Sequence, residues 1–446
     1  MKTTDYDLVQ LLEVGFEHLP PYDPVVPCAD QMASVIAETA LRLHDNFPYF
    51  HPLYAGQMLK PPHPVARAAY DLAMRINPNN HALDGGRASS AMEKEAVAQL
   101  AAMFGWDSHL GHLTSGGTMA NLEALWVSSR LRPGSTILAS SEAHYTHERI
   151  SGVLGLRFEK VPVDSCGRMD VSELQARLAR GGVGTVVATL GTTGLGAVDP
   201  LDRILELRRE FDFRVHVDAA YGGYFALASN LGTDARRAFD RVAEADSIVI
   251  DPHKHGLQPY GCGCVLFREP GVGAIYKHDS PYTYFSSNDL HLGEISLECS
   301  RPGAAAVALW ATQRLLPLVK GGEFSAGLEQ SRRAALELSA KLAADPRFIL
   351  PIQPELDIVV WAPRAGSAVA ASKLAQRIFD AAARADLHLA LFKIPVKFFS
   401  SAWPDLVQDA DTLLCLRSVL MKPEHLAWID RLYLEISNAT REATAA

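Results

Sequence analysis

The run Ser247-Ile248-Val249-Ile250-Asp251-Pro252-His253-Lys254-His255-Gly256 decides how this chain is read. A short β-prone stretch ends abruptly in an aspartate, a proline and a lysine flanked by two histidines. An earlier stretch has the same design: Phe213-Arg214-Val215-His216-Val217 leads into Asp218-Ala219-Ala220-Tyr221-Gly222-Gly223. Two further β-prone runs lie at residues 135–138 and 185–190, and helical periods occupy 171–178 and 201–210. Strands alternating with helices predict an α/β fold, with a mainly parallel sheet carrying helices on both faces. In such sheets ligands sit beyond the carboxyl ends of the strands, where Asp218 and Lys254 both fall.

Outward from this centre the chain divides into three expected parts. Residues 1–60 mix helix-like stretches with Pro-rich turns, and 30–43 shows a helical apolar period. Residues 61–320 form the expected large domain, which includes a long helix over 89–104. A helical region over 302–344 leads into a smaller α+β domain, 321–446, with strands at 357–361 and 412–417, a helix over 372–384 and a last helix from Pro423.

Bulk properties exclude several classes. The 446 residues are 48% hydrophobic and 21% charged, an ordinary globular balance. A net charge of −9 with no Lys/Arg block argues against nucleic-acid binding. No apolar run reaches membrane-spanning length, and acidic residues occupy Met1–Asp7 where a signal peptide needs an apolar core, so a cytoplasmic protein is expected. Six scattered cysteines make no disulfide framework. Cys262-Gly263-Cys264 beside His253 and His255 lacks the spacing of a structural zinc site, so no metal is expected and the thiols read as small buried residues.

The chemistry-bearing motifs come in order. Leu113-Thr114-Ser115-Gly116-Gly117-Thr118-Met119-Ala120-Asn121 opens a helix, where converging backbone N–H groups favour an anion such as a phosphate. By itself it is a Gly turn with a Ser or Thr cap. Ser141-Glu142-Ala143-His144-Tyr145 follows the next strand, and an imidazole there can stack on a flat ring, although many such histidines only start a helix. Leu190-Gly191-Thr192-Thr193-Gly194 ends another strand with two hydroxyls. Asp218 and Lys254 complete the series. A phosphate loop, a stacking histidine, an aspartate for a pyridinium nitrogen and a lysine for a Schiff base together point to pyridoxal 5'-phosphate.

With these residues in place, the chain resembles the group II pyridoxal-phosphate-dependent amino-acid decarboxylases, which include glutamate, aromatic amino-acid and diaminobutyrate decarboxylases. The likeness spans roughly residues 47–435 and is densest at His216-Val217-Asp218-Ala219-Ala220 and Pro252-His253-Lys254. It implies fold type I of the PLP-dependent transferases and a homodimer with active sites at the interface. It also implies that Lys254 carries the cofactor, His253 sits beside it, Asp218 pairs with the ring nitrogen, and Ala220 and His144 contact the two ring faces. Ser115, Gly117 and Thr118 would hold the phosphate, and Thr192 or Thr193 would lie near the ring oxygen.

Two matches bear on substrate. In His51-Pro52-Leu53-Tyr54-Ala55-Gly56-Gln57-Met58, Gln57 stands where glutamate-type members have Gln and aromatic-type members have Tyr. Arg417 resembles the arginine that binds the substrate carboxylate in glutamate-type members, and a guanidinium fork suits a carboxylate. A small polar or acidic amino acid is therefore expected over an aromatic one. One departure concerns the proton returned to carbon after CO2 leaves. No tyrosine in residues 282–293 falls squarely on the family's position, which leaves Tyr284 and His291 as candidates. The competing readings are another fold type I reaction (an aldehyde synthase, a carbon–carbon lyase or an aminotransferase) and a catalytically silent binding protein.

Overall fold

Apolar residues fill the strands of the large sheet because helices cover both of its faces. The computed structural model describes residues 5–23, 29–277 and 291–445. Its first sheet has seven strands: β1 (Leu110–Thr114), β2 (Thr136–Ser140), β3 (Arg157–Val161), β4 (Val183–Thr189), β5 (Arg214–Asp218), β6 (Ser247–Ile250) and β7 (Gly263–Phe267). Their spatial order is β1-β7-β6-β5-β4-β2-β3. The pairs from β6 through β5, β4 and β2 to β3 are all parallel, while β7 runs antiparallel to β6 and β1. The sheet is thus mainly parallel, as expected, and the helix Gly117–Leu131 packs on its β6 and β7 strands.

Three strands lie outside the apolar runs recognised in the sequence, for physical reasons. β3 reads Arg157-Phe158-Glu159-Lys160-Val161, and its charges suit an edge strand because they discourage pairing with another chain. β1 contains Gly111 and His112, and His112 is buried only because its Nε2 meets Glu123 Oε2 at 2.9 Å. β7 begins at Gly263 between the cysteines. A Cβ there would stand 2.5 Å from the Gly116 carbonyl carbon, so the loop after β1 requires glycine on its neighbour. Cys262 and Cys264 are buried, and burial pushes both thiols up, in keeping with packing thiols.

The second sheet is antiparallel, with β8 (Phe348–Ile349), β9 (Ile358–Pro363), β10 (Ala390–Pro395) and β11 (Thr412–Val419) in the order β10-β11-β9-β8. Helices Glu323–Ala344, Ala368–Arg384 and His425–Ala445 build a core with it around Trp361, Leu338, Ile378, Leu416 and Ile436. The helix expected over 302–344 is two helices, Gly303–Leu315 and Glu323–Ala344. Pro317, Gly321 and Gly322 lie between them, and proline and glycine are the residues a helix tolerates least. We keep residue 320 as the proposed domain boundary because it falls in this break. The segment before residue 60 leans on the small sheet: Ala55 N donates to His388 O (2.8 Å), and Ala55 lies in the same core.

One buried ion pair fixes the end of β1. Glu93 Oε1 accepts from Arg301 Nη1 (2.7 Å) and from Leu113 N (2.9 Å), and its Oε2 accepts from Asn80 Nδ2 (2.6 Å). Arg301 Nη1 also donates to Leu113 O at 2.6 Å. Removing one partner strands a buried charge, so Arg301→Leu is expected to destabilise the protein by about 3–5 kcal/mol in urea unfolding. Arg314→Ala, which removes an ion pair between two exposed side chains, should leave the midpoint nearly unchanged.

Candidate active site

The carboxyl ends of β1, β2, β4, β5 and β6 meet at one cavity of about 340 Å3. After β1 come Ser115, Gly117 and Thr118; after β2, His144; after β4, Gly191 and Thr193; at the end of β5 and just after it, Asp218, Ala220 and Tyr221; after β6, Asp251, His253 and Lys254. Residues more than a hundred positions apart in sequence therefore line one space.

One end of the cavity is built by the start of the helix Gly117–Leu131. The first N–H groups of a helix have no partner within it, and their dipoles favour an anion. Gly117 is required here, because a Cβ would stand 2.8 Å from Asp251 Oδ2. Ser115 is exposed at the cavity, and its N–H donates to Glu298 Oε2 (2.9 Å).

The opposite requirement, a fixed negative charge, is met by Asp218. It is buried, and burial alone would raise its pKa. The hydrogen bond and charge of His147 outweigh that, with help from Lys254 and the Ala220 N–H, and hold the carboxyl well below the usual carboxylate range. His147 Nε2 lies 2.8 Å from Asp218 Oδ2, Asn121 Nδ2 donates to the same oxygen at 3.4 Å, and Ala220 N donates to Oδ1 at 3.1 Å. Asn121 is itself oriented, since its Oδ1 meets Nε2 of buried His216 at 2.8 Å. Burial pushes the His216 pKa down to about 3, so this imidazole is neutral at working pH and adds no competing charge.

Lys254 is partly buried, with Nζ 3.1 Å from Asp251 Oδ2. His253 Nε2 lies 3.5 Å from the same oxygen, and its ring faces Tyr260 at a centroid distance of 4.8 Å. His144 is held by its Nδ1 against Thr146 Oγ1 (2.8 Å). Burial lowers the His144 and His253 pKa values, so both rings are expected to be neutral at pH 7. A neutral imidazole suits stacking on a ring that must itself carry positive charge.

These groups fit pyridoxal phosphate: helix-start amides for the phosphate, a buried carboxylate for the ring nitrogen, a reachable amine, and a slot lined by both His144 and Ala220. A profile described as "Pyridoxal-dependent decarboxylase conserved domain" matches residues 118–363, more than half of the chain. The chain belongs to this family. It is a PLP-dependent amino-acid decarboxylase of fold type I.

Individual relatives are distant. The chain is 27% identical over 315 residues to the probable L-tyrosine/L-aspartate decarboxylase of Methanothermobacter thermautotrophicus, covering 69% of this chain and 82% of that one. It is 28% identical over 391 residues to the L-tyrosine decarboxylase of Enterococcus faecium, covering 65% and 64%. With the L-aspartate decarboxylase of Thermococcus kodakarensis it shares 29% over 311 residues, covering 68% and 77%. The crystal structure of mouse CSAD superposes with a TM-score of 0.80 at 22% identity, covering 98% of this chain and 92% of that one.

Some site expectations are relocated. Thr192 is fully buried, and its Oγ1 accepts from Ala197 N (3.0 Å) to close the turn after β4. Its hydroxyl is spent on that turn, and Thr193 lines the cavity instead. His291 is 5% exposed and begins the turn Leu292–Ile295, whose apolar residues pack with Leu110 and Phe267. It is not among the described residues that line the cavity. Tyr284 lies outside the described residues. Gln57 and Arg417 are not in the lining but meet each other: Arg417 Nη2 donates to Gln57 Oε1 (3.0 Å) and Nη1 to the carbonyl of Thr193 (3.0 Å).

Three contributors escaped the sequence reading: His147, Asn121 and Asp251. His147 follows His144 by one helical step, a spacing that was visible. Asn121 and Asp251 carry no signal of their own. Asp218→Asn is expected to cut kcat on the order of 100-fold or more by removing the ring-nitrogen charge. His147→Ala should reduce kcat less and introduce an acid limb in its pH profile. The depressed Asp218 pKa makes the carboxylate available down to low pH; without His147 that pKa rises, and the charge is lost as pH falls through the new value. Steady-state kinetics across pH checks both.

Proposed function

We propose that this decarboxylase acts on a small polar or acidic L-amino acid, with Arg417 and Gln57 receiving the substrate carboxylate. The observation that carries this reading is the Arg417–Gln57 pair, joined through the Thr193 carbonyl to the wall of the cofactor cavity. Arg417 is buried, and burial lowers its pKa, so an incoming carboxylate would find a poorly hydrated guanidinium. Gln57 is exposed, and its amide can move aside. The relatives named for aspartate agree with this reading; those named for tyrosine make L-tyrosine the second substrate to test.

Bound pyridoxal phosphate supplies the electron sink for the breaking carbon–carbon bond. This chain's own residues do the rest in the proposed mechanism. Lys254 would hold the cofactor through Nζ, beside Asp251. Asp218, kept ionised by His147 and Asn121, keeps the ring nitrogen protonated. His144 and Ala220 would hold the ring of the cofactor from the cavity wall, and Arg417 would hold the substrate carboxylate. Ser115, Gly117 and Thr118 anchor the phosphate end. His253, beside Lys254, is placed to pass protons to and from the amine. Of the two candidate donors to carbon, Tyr284 and His291, we propose Tyr284, because His291 is not among the described residues that line the cavity.

A homodimer is part of the proposal. The helix Ala29–Leu43 has no buried residue in the single chain and exposes Met32, Val35, Ile36 and Leu43, an apolar stripe that a second copy would cover.

Lys254→Ala should abolish turnover and the visible absorbance of the bound cofactor; retention of either would overturn the assignment. Screening L-aspartate, L-glutamate and L-tyrosine for CO2 and amine release is expected to favour an acidic substrate. Arg417→Gln should raise KM for it by about tenfold or more, the loss of one charged hydrogen-bond pair. Keto acid, aldehyde or peroxide as the main product would favour another fold type I reaction.

A further inference from the structure

A second cavity, of about 470 Å3, lies where the residues after Lys254 meet segments 60–64, 323–331 and 422–424. Its wall is largely apolar, including Pro62, Leu257, Leu316, Phe324 and Leu328. Two lysines also line it. Lys422 is 3% exposed, and its Nζ donates to Tyr54 O (2.6 Å). Lys60 is partly buried, and its Nζ donates to Met421 O (3.3 Å). An ammonium has three donors, so each is left with unused capacity. Among the described residues, their hydrogen bonds go to carbonyl oxygens and none to a carboxylate.

Nearby acids act on the lysines only at a distance: Asp357 and Glu424 favour the charged form of Lys60, and Glu424 that of Lys422, with neither amine donating a hydrogen bond to them. Asp357 is fully buried, but its Oδ1 accepts from Tyr221 Oη (2.6 Å) and its Oδ2 lies 3.1 Å from His255 Nε2. Glu323 and Glu424 line the cavity as exposed side chains. Loss of water pulls the Lys60 pKa down to about 8 and, with added repulsion from Lys60, that of Lys422 down to about 7. These amines have unused donors in a largely apolar wall and no hydrogen-bonded carboxylate among the described residues, and an anionic ligand would supply one.

We propose that this cavity is a binding site, separate from the cofactor cavity, for a small organic acid whose carboxylate lies between Lys60 and Lys422 and whose apolar body rests on Leu257, Phe324 and Leu328. An occupant would also meet His255, the neighbour of Lys254. From His255, a close contact with Asp357 (3.1 Å) and the Tyr221–Asp357 hydrogen bond lead to Tyr221 in the cofactor cavity.

Titration calorimetry of the holoenzyme with hexanoate, and with hexanamide as its uncharged counterpart, tests this without reference to turnover. Hexanoate is expected to bind once per chain and hexanamide at least about tenfold more weakly. Lys422→Met and, at the less buried position, Lys60→Gln should each weaken hexanoate by about tenfold. Arg417→Gln, which alters only the cofactor side, should leave hexanoate affinity unchanged. Equal binding of acid and amide, or an affinity that follows Arg417 rather than the two lysines, would overturn the proposal.

Discussion

The candidate active site is organised around one buried carboxylate, Asp218, that is kept charged at the cavity wall. Asp218 ends β5 in the middle of the sheet, and burial there works against its ionisation. Around it the protein places a histidine, an asparagine amide and a backbone N–H, and it orients the asparagine with a second, neutral histidine. A cofactor that withdraws electrons through a protonated ring nitrogen needs this constant negative partner. The packing of the helix Gly117–Leu131 on β6 and β7 follows the same need, since that helix carries both Asn121 and the helix-start amides at the phosphate end.

The two ends of the site are coupled through the sheet. Asp251 stands against the Gly117 backbone on one side and Lys254 on the other. The loop after β1 is in turn held by the Glu93–Arg301 pair at Leu113. These contacts would hold the phosphate end of the cofactor and Lys254 in a fixed relation to each other.

The small sheet contributes Arg417 from β11, and the N-terminal segment contributes Gln57. Both reach the cavity wall through the Thr193 carbonyl at the end of β4. The proposed substrate contacts thus come from three separate parts of the chain, whereas the residues that line the cofactor cavity come from the large domain.

Much of this was legible in the residues themselves. Short apolar runs ending in Asp218 and Lys254, glycines at 116 and 117, and a histidine after β2 each report a local need: a buried strand, a close backbone approach, a ring to stack on. Local needs leave local signals, so the fold class and the cofactor could be read from order and spacing. What the tertiary structure decided were pairings over long separations. His147 and Asn121 look ordinary until folding brings them to Asp218, Thr192 and Thr193 differ only in which hydroxyl the turn consumes, and Gln57 and Arg417 meet across 360 positions. Such contacts depend on how helices and sheets pack against one another, and no single stretch of sequence carries that information.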